Sequence, residues 1–242
     1  MKSLNDLFHI ISGRFESCQT DLKKFIKFRT VVRNVRYLDN TDEFSVTWQN
    51  LSTGVTSKEM FSHVIVAVGF FNFPNKPSFP GLDTFPGRIL HSHDFRTADE
   101  FKGQTLLVVG SSYSAEDIAL QTRKFGAKNV ICTWRSKPMG FNWPKGIEER
   151  PLLQNVEGKT AYFKDGSSAE VDTIILCTGY IYHFPFLEDK LRLKTTLSLY
   201  PDNLYKGTLF LNGGNNKLFY FGVQDQYYTF TMFDVVALWT CR

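Results

Sequence analysis

The sequence has no Cys-x-x-Cys pair among its four cysteines, Cys18, Cys132, Cys177 and Cys241. That spacing excludes zinc ribbons and thioredoxin-like redox pairs, and a disulfide framework is not expected. Cys132 and Cys177 lie inside apolar runs and read as buried small hydrophobes, which fits a reducing, cytoplasmic setting. His63, His93 and His183 have no metal-ligand companions, so no metal site is expected. Long hydrophobic runs are also missing. The longest lie around Val64–Phe71 and Thr173–Cys177, well short of the roughly 18 residues of a membrane helix. Met1-Lys2-Ser3-Leu4-Asn5-Asp6 carries no apolar segment, so no secretory signal is expected. An excess of one charge is absent too. Twenty-eight Lys and Arg stand against 24 Asp and Glu, a net charge of +4, in short clusters such as Lys23-Lys24 and Glu148-Glu149-Arg150. This excludes a polybasic arm for nucleic acid.

What is present is a core-forming composition. The 242 residues are 43% hydrophobic and 15% aromatic, enough to exclude wholesale disorder. The first 27 residues read as a helix and a lead-in, with Leu4, Leu7, Phe8 and Ile11 at helical spacing. Phe28–Tyr37, the alternating Phe44, Val46 and Trp48, and Met60–Val68 read as three strands of an antiparallel meander. Residues 71–87 then carry Pro74, Pro77, Pro80 and Pro86 with Gly81 and Gly87, a Pro/Gly-punctuated connection. Beyond it the period changes. Thr105–Val109 is a continuous apolar run, as in a strand covered on both faces. Ala115, Ile118, Ala119 and Thr122 mark one face of a helix that Gly126 ends, and Val130–Trp134 is a second buried strand. Strand, turn, helix and strand make one βαβ unit. Ala161–Phe163 and Glu170–Cys177 flank a hairpin turn at Lys164-Asp165-Gly166-Ser167.

The turn of the βαβ unit carries the chemistry. A dinucleotide fingerprint there reads G-x-G-x-x-G/A; this chain has Gly110-x-Ser112-x-x-Ala115. Gly110 allows the tight turn, and Ala115 lets the helix pack close to the sheet. Ser112 keeps the middle position small and adds a hydroxyl. Ser111 and Ser114 add two more beside helix N-terminal amides that attract phosphate. The next strand end selects the nucleotide. An NAD site places Asp or Glu there; here stand Trp134-Arg135-Ser136-Lys137. A guanidinium and a hydroxyl suit a 2′-phosphate, so NADP is expected.

Phe85, Gly87, His91 and Phe95 fill the four fixed positions of F-x-G-x-x-x-H-x-x-x-[YF], the signature of the flavin-containing monooxygenase family. Altered A-T-G-like strand ends appear at Val66-Ala67-Val68-Gly69 and Leu176-Cys177-Thr178-Gly179-Tyr180. Gly110–Ile118, Pro138–Pro144, His183–Leu187 and Gln224–Tyr228 resemble the branch of that family that oxygenates trimethylamine. The resemblance runs through roughly residues 10–235.

The resemblance implies an α/β fold: a Rossmann-type NADP-binding domain inserted into a partial FAD-binding domain of the two-dinucleotide-binding flavoprotein type. The expected boundaries are 1–95 for the partial FAD domain, 96–180 for the NADP domain and 181–242 for the return to the FAD domain. It implies an NADPH- and FAD-dependent monooxygenase that passes one oxygen of O2 to a tertiary amine such as trimethylamine, or to a sulfide, through a flavin C4a-hydroperoxide. Gly110, Ser111, Ser112, Tyr113 and Ser114 would cradle the NADP pyrophosphate, and Arg135 and Ser136 would hold the 2′-phosphate. Tyr113 is also the expected catalytic position, near the nicotinamide–flavin stack. Val35 matches a backbone contact to the FAD adenine and Gln224 a contact to the flavin ring. The role of His91 would be architectural. Residues 1–60 hold no G-x-G-x-x-G for the FAD pyrophosphate. The chain is therefore expected to be a piece of the enzyme or a truncated product, to expose apolar surface, and to leave open a homodimer and an endoplasmic-reticulum tail outside this stretch. The alternatives are a non-catalytic NADP-binding remnant and an interaction module without flavin. A Baeyer–Villiger monooxygenase is disfavoured by Phe95 in place of Trp, and a disulfide reductase by the missing cysteine pair.

Overall fold

The computed structural model describes residues 21–194, 201–223 and 229–241. The expected helix near the start and Gln224 lie outside them. The chain forms two compact units. One gathers residues up to Val64 with Phe184–Arg192 and Phe210–Leu218; the other holds Ile65–His183, Leu193–Leu209 and the stretch from Phe219.

The first unit is built on an antiparallel meander of β1 (Thr30–Leu38), β2 (Glu43–Asn50) and β3 (Thr56–Phe61). Val35 pairs with Val46 and Tyr37 with Phe44, and all four are buried. The expected third strand, Met60–Val68, is broken: β3 ends at Phe61, and β4 (Val64–Val66) starts after Ser62-His63. The other edge of β1 meets the segment 184–192. The Val35 amide donates to the Phe186 carbonyl at 2.7 Å, and the Glu188 amide donates to the Val35 carbonyl at 3.0 Å. The Glu188 carboxylate then accepts from the Tyr37 amide at 2.7 Å, so a side chain continues the ladder where backbone pairing ends. Asp42, at φ +58°, turns β1 into β2. Its carboxylate accepts from the Tyr37 hydroxyl, from Asn215 at 2.9 Å and from the Lys217 ammonium. Those donors hold the Asp42 carboxyl far below the usual range, and the same bond pushes the Tyr37 phenol up to about 12.

The second unit is a parallel five-stranded sheet. It contains β5 (Arg88–His91), β6 (Thr105–Val109), β7 (Asn129–Trp134), β8 (Ile147–Pro151) and, between β5 and β6, a strand from later in the chain. Helix α1 (Tyr113–Lys124) connects β6 to β7. Three strands follow β8: β9 (Leu153–Glu157), β10 (Thr160–Phe163) and β11 (Ser168–Glu170), in the antiparallel order β11-β10-β9. Then comes β12 (Thr173–Leu176), giving the parallel order β5-β12-β6-β7-β8. The expected strand Glu170–Cys177 is thus two strands. The break falls at Val171-Asp172, where the Asp172 carboxylate accepts from the Thr105 amide at 3.0 Å and from Lys159 at 3.1 Å.

Alternation along β6 explains the two cores. Leu106 and Val108 pack with Ala115, Ile118 and Ala119 of α1. Leu107 and Val109 pack with Leu153, Val156, Ala161 and Phe163 of the antiparallel sheet. Every residue from Leu106 to Val109 is buried, as expected for a strand covered on both faces. The helix ends as the sequence predicts: Phe125 is the C-cap and Gly126, at φ +99°, leaves the helix. The two units change over at 64/65, 183/184, 192/193, 209/210 and 218/219, and β5, inside the expected 1–95, pairs in parallel with β12 of this sheet. Large apolar side chains are exposed in both units, Phe28 and Leu51 in one and Val68 and Phe71 in the other.

Candidate cofactor-binding site

The site of the second unit lies outside the carboxyl ends of β6 and β7, where open α/β sheets place ligands. Gly110 leaves β6 at φ +140°, and a Cβ there would stand 2.2 Å from the Cys177 carbonyl oxygen. Only glycine fits. Ser112 is the N-cap of α1, with extended φ −130° and ψ −175°. Its carbonyl accepts from the amides of Ala115 at 2.8 Å and Glu116 at 3.1 Å. Its hydroxyl makes no capping bond and is not spent on its own helix. The first amides of the helix have no intrahelical acceptor and point toward the turn.

β7 carries Arg135, Ser136 and Lys137 beyond its end, all exposed. They face the same cavity as Ser111, Ser112 and Tyr113, with a volume of about 580 Å³. Glu116, Pro138, Met139 and Phe141 complete its lining. Five of the expected residues are thereby brought together: Ser111, Ser112, Tyr113, Arg135 and Ser136. Gly110 forms the turn beneath them. Ser114 is exposed on the first turn of α1 and is not part of the lining. Tyr113 is 70% exposed, a ring free to meet a ligand. Val35 belongs to the other unit, with its amide and carbonyl engaged by Phe186 and Glu188. What it retains is the second lone pair of its carbonyl.

One feature of the site carries no signal in the sequence. Glu149, within β8, accepts from the amides of Met139 at 2.6 Å and Gly140 at 3.1 Å, and from the Trp143 indole at 3.0 Å. In the sequence it is one charge in a short cluster. His91 is fully buried. Its Nδ1 accepts from the His93 amide at 3.0 Å, so the proton of the neutral ring sits on Nε2, on the side of the Gly179 backbone. Burial pushes its pKa below the ordinary imidazole range. The Tyr180 ring meets it edge-on at 5.3 Å. A neutral, enclosed imidazole at the end of β5 agrees with an architectural role. Among the described residues no group of His, Cys, Asp and Glu is placed to hold a metal ion, and no helix is long and apolar enough to cross a membrane.

Comparison with known proteins gives this geometry a context. A trimethylamine monooxygenase of Methylocella silvestris is 53% identical over 98% of the chain and 51% of its own length. One of Pelagibacter ubique is 51% identical over 98% of the chain and 52% of its own. The crystal structure of Tmm from a Pelagibacter species superposes with a TM-score of 0.86 at 47% identity, covering 95% of this chain and 51% of that one. The chain spans about half the length of the curated relatives it matches. The profile of the family described as flavin-binding monooxygenase-like matches residues 11–140 and 145–219, and the chain belongs to that family.

Proposed function

We propose that this chain supplies the NADP-binding part of an NADPH- and FAD-dependent monooxygenase that transfers one oxygen of O2 to a soft nucleophile, a tertiary amine such as trimethylamine or a sulfide. The observation that carries the reading is the cavity in which Ser111, Ser112 and the start of α1 face Arg135 and Ser136. The residues fit the nucleotide. A glycine that no other residue can replace brings the backbone close, an uncommitted hydroxyl and helix amides answer a pyrophosphate, and a guanidinium and a hydroxyl answer a 2′-phosphate. When bound, NADPH would supply a hydride.

The work of this chain is to bind and to orient. Gly110, Ser111, Ser112 and Ser114 would hold the pyrophosphate through the turn. Arg135 and Ser136 would select the phosphorylated ribose. Tyr113, with its ring exposed above the turn, would pack against the nicotinamide end and keep water from it. The amine reading is supported by the names of relatives about half identical to the chain. For FAD the fit differs. Among the described residues there is no second glycine-rich strand–turn–helix, and the Val35 amide is engaged. FAD binding is therefore assigned to a whole protein of the relatives' length. The test is direct. The purified chain is titrated with NADP, inspected for flavin absorption and assayed for NADPH oxidation with trimethylamine. Tight NADP binding supports the reading of this site. Binding without flavin colour or turnover identifies the isolated chain as a nucleotide-binding module, and no NADP binding overturns the reading.

A further inference from the structure

From the geometry we infer that Glu149 is a positioning residue for the nucleotide site, which shapes the wall that recognises the 2′-phosphate without touching the ligand. This inference rests on the NADP reading above and adds the device that sets its selectivity.

The connection 135–146 between β7 and β8 carries both the recognition residues and the wall. Arg135, Ser136 and Lys137 open it, and Met139 and Phe141 line the cavity immediately after them. A stretch of this kind, with Gly140 at φ +74°, has no regular hydrogen-bond ladder to hold it. Glu149 replaces the ladder. One carboxylate oxygen takes the Met139 amide, and the other takes the Gly140 amide and the Trp143 indole. Three donors converge on one carboxylate that projects from a paired strand of the sheet. The Trp143 amide also donates to the Phe141 carbonyl at 2.9 Å, and the two rings meet edge to face at 5.3 Å. Met139 and Trp143 pack on the helix-side core. The far end of the connection is tied separately, where Arg123 of α1 donates to the Lys145 carbonyl at 2.7 Å. Glu149 gathers three donors at the centre of the wall, and hydrogen bonds to a carboxylate are the strong kind.

The chemistry of the pairing explains why a carboxylate is required. It is acceptor-only and offers both oxygens. A glutamine at 149 keeps one acceptor oxygen and, in either orientation, sets an NH2 group against at least one of the three donors.

The experiment measures calorimetric affinities for 2′,5′-ADP and 5′-AMP in the whole chain and in Glu149→Gln, Glu149→Asp and Trp143→Phe, with amide hydrogen exchange at Met139 and Gly140. In Glu149→Gln the preference for 2′,5′-ADP falls about tenfold while 5′-AMP affinity changes less than about twofold, and both amides exchange faster. Glu149→Asp recovers part of the preference. Trp143→Phe removes one donor of three and lowers it by a smaller factor, about threefold, which keeps the test open if the glutamine variant does not fold. Equal losses for both ligands, or faster exchange with an unchanged preference, overturn the inference while leaving the NADP reading intact. Equal affinity of the unmodified chain for the two ligands overturns that reading and this inference with it.

Discussion

The amide of Gly110 donates to the carbonyl of Thr133 at 3.1 Å. This bond ties the turn that opens α1 to the end of β7, two places that the proposed nucleotide would span. The neighbouring amide of Cys177 donates to the Val109 carbonyl at 2.9 Å, so the turn is clamped from both adjacent strands. The turn and the strand that delivers Arg135 are thus joined by backbone bonds, which would lower the ordering cost of binding the proposed nucleotide.

Gly110→Ala tests the turn. The new Cβ would meet the Cys177 carbonyl, a backbone group that cannot swing aside, at a φ that L-residues avoid. A destabilisation of more than ~1 kcal/mol in urea unfolding is expected, with loss of NADP binding. Normal binding by a fully stable variant would refute the cradle.

Arg135→Ala tests nucleotide choice. Affinity for NADPH is expected to fall about tenfold or more while affinity for NADH changes little, because only the former presents a phosphate to the guanidinium. Equal losses for the two cofactors would remove Arg135 from the 2′-phosphate site.

Thr133→Val addresses an orphan. The Thr133 hydroxyl is buried without a partner, so replacing it by a methyl group of the same shape removes an unmet polar atom. Urea unfolding should show unchanged stability or a gain of up to about 1 kcal/mol. A clear loss would mean that the hydroxyl has a partner.

His91 links stability to pH. Its folded pKa lies below its unfolded value, so between the two the unfolded chain binds a proton that the folded chain does not. The contribution is intact above the ordinary imidazole pKa of about 6.5 and is lost as pH falls below it. Unfolding midpoints measured from pH 7.5 down to 5.5 should decline, and His91→Gln should flatten that decline. Identical slopes would exclude His91 as the cause.

The parts of the fold legible in the sequence are those with a strong local period. The run Thr105–Val109, the helical face Ala115-Ile118-Ala119-Thr122 and the run Val130–Trp134 become β6, α1 and β7 nearly residue for residue. The meander was legible through alternation, although Ser62-His63 interrupts its last member. β8 and β9 were not legible. Their residues, Ile147–Pro151 and Leu153–Glu157, mix charge with isolated apolar positions, and burial of Leu153 and Val156 follows from the sheet they cover. The partner of β5 is not legible, because four residues cannot announce a strand that lies beyond the helix. In the site, Gly110, Ser112 and Arg135 were legible because a turn, a cap and a strand end have fixed chemistry. Glu149 was not, since a carboxylate that gathers donors from a loop looks in sequence like any surface charge.

The position of β12 carries a consequence for how the chain reaches its fold. It lies between β5 and β6, yet it comes last of the five parallel strands in the chain. Until Thr173–Leu176 emerge during synthesis, β5 has no neighbour in its sheet and β6 presents an unpaired backbone edge flanked by the apolar side chains of Leu106–Val109. The hairpins of β9, β10 and β11 pair locally, while the sheet needs a distant insertion. A nascent chain stalled before residue 173 therefore exposes a sticky strand edge, and this is the stage at which a chaperone would have most to protect.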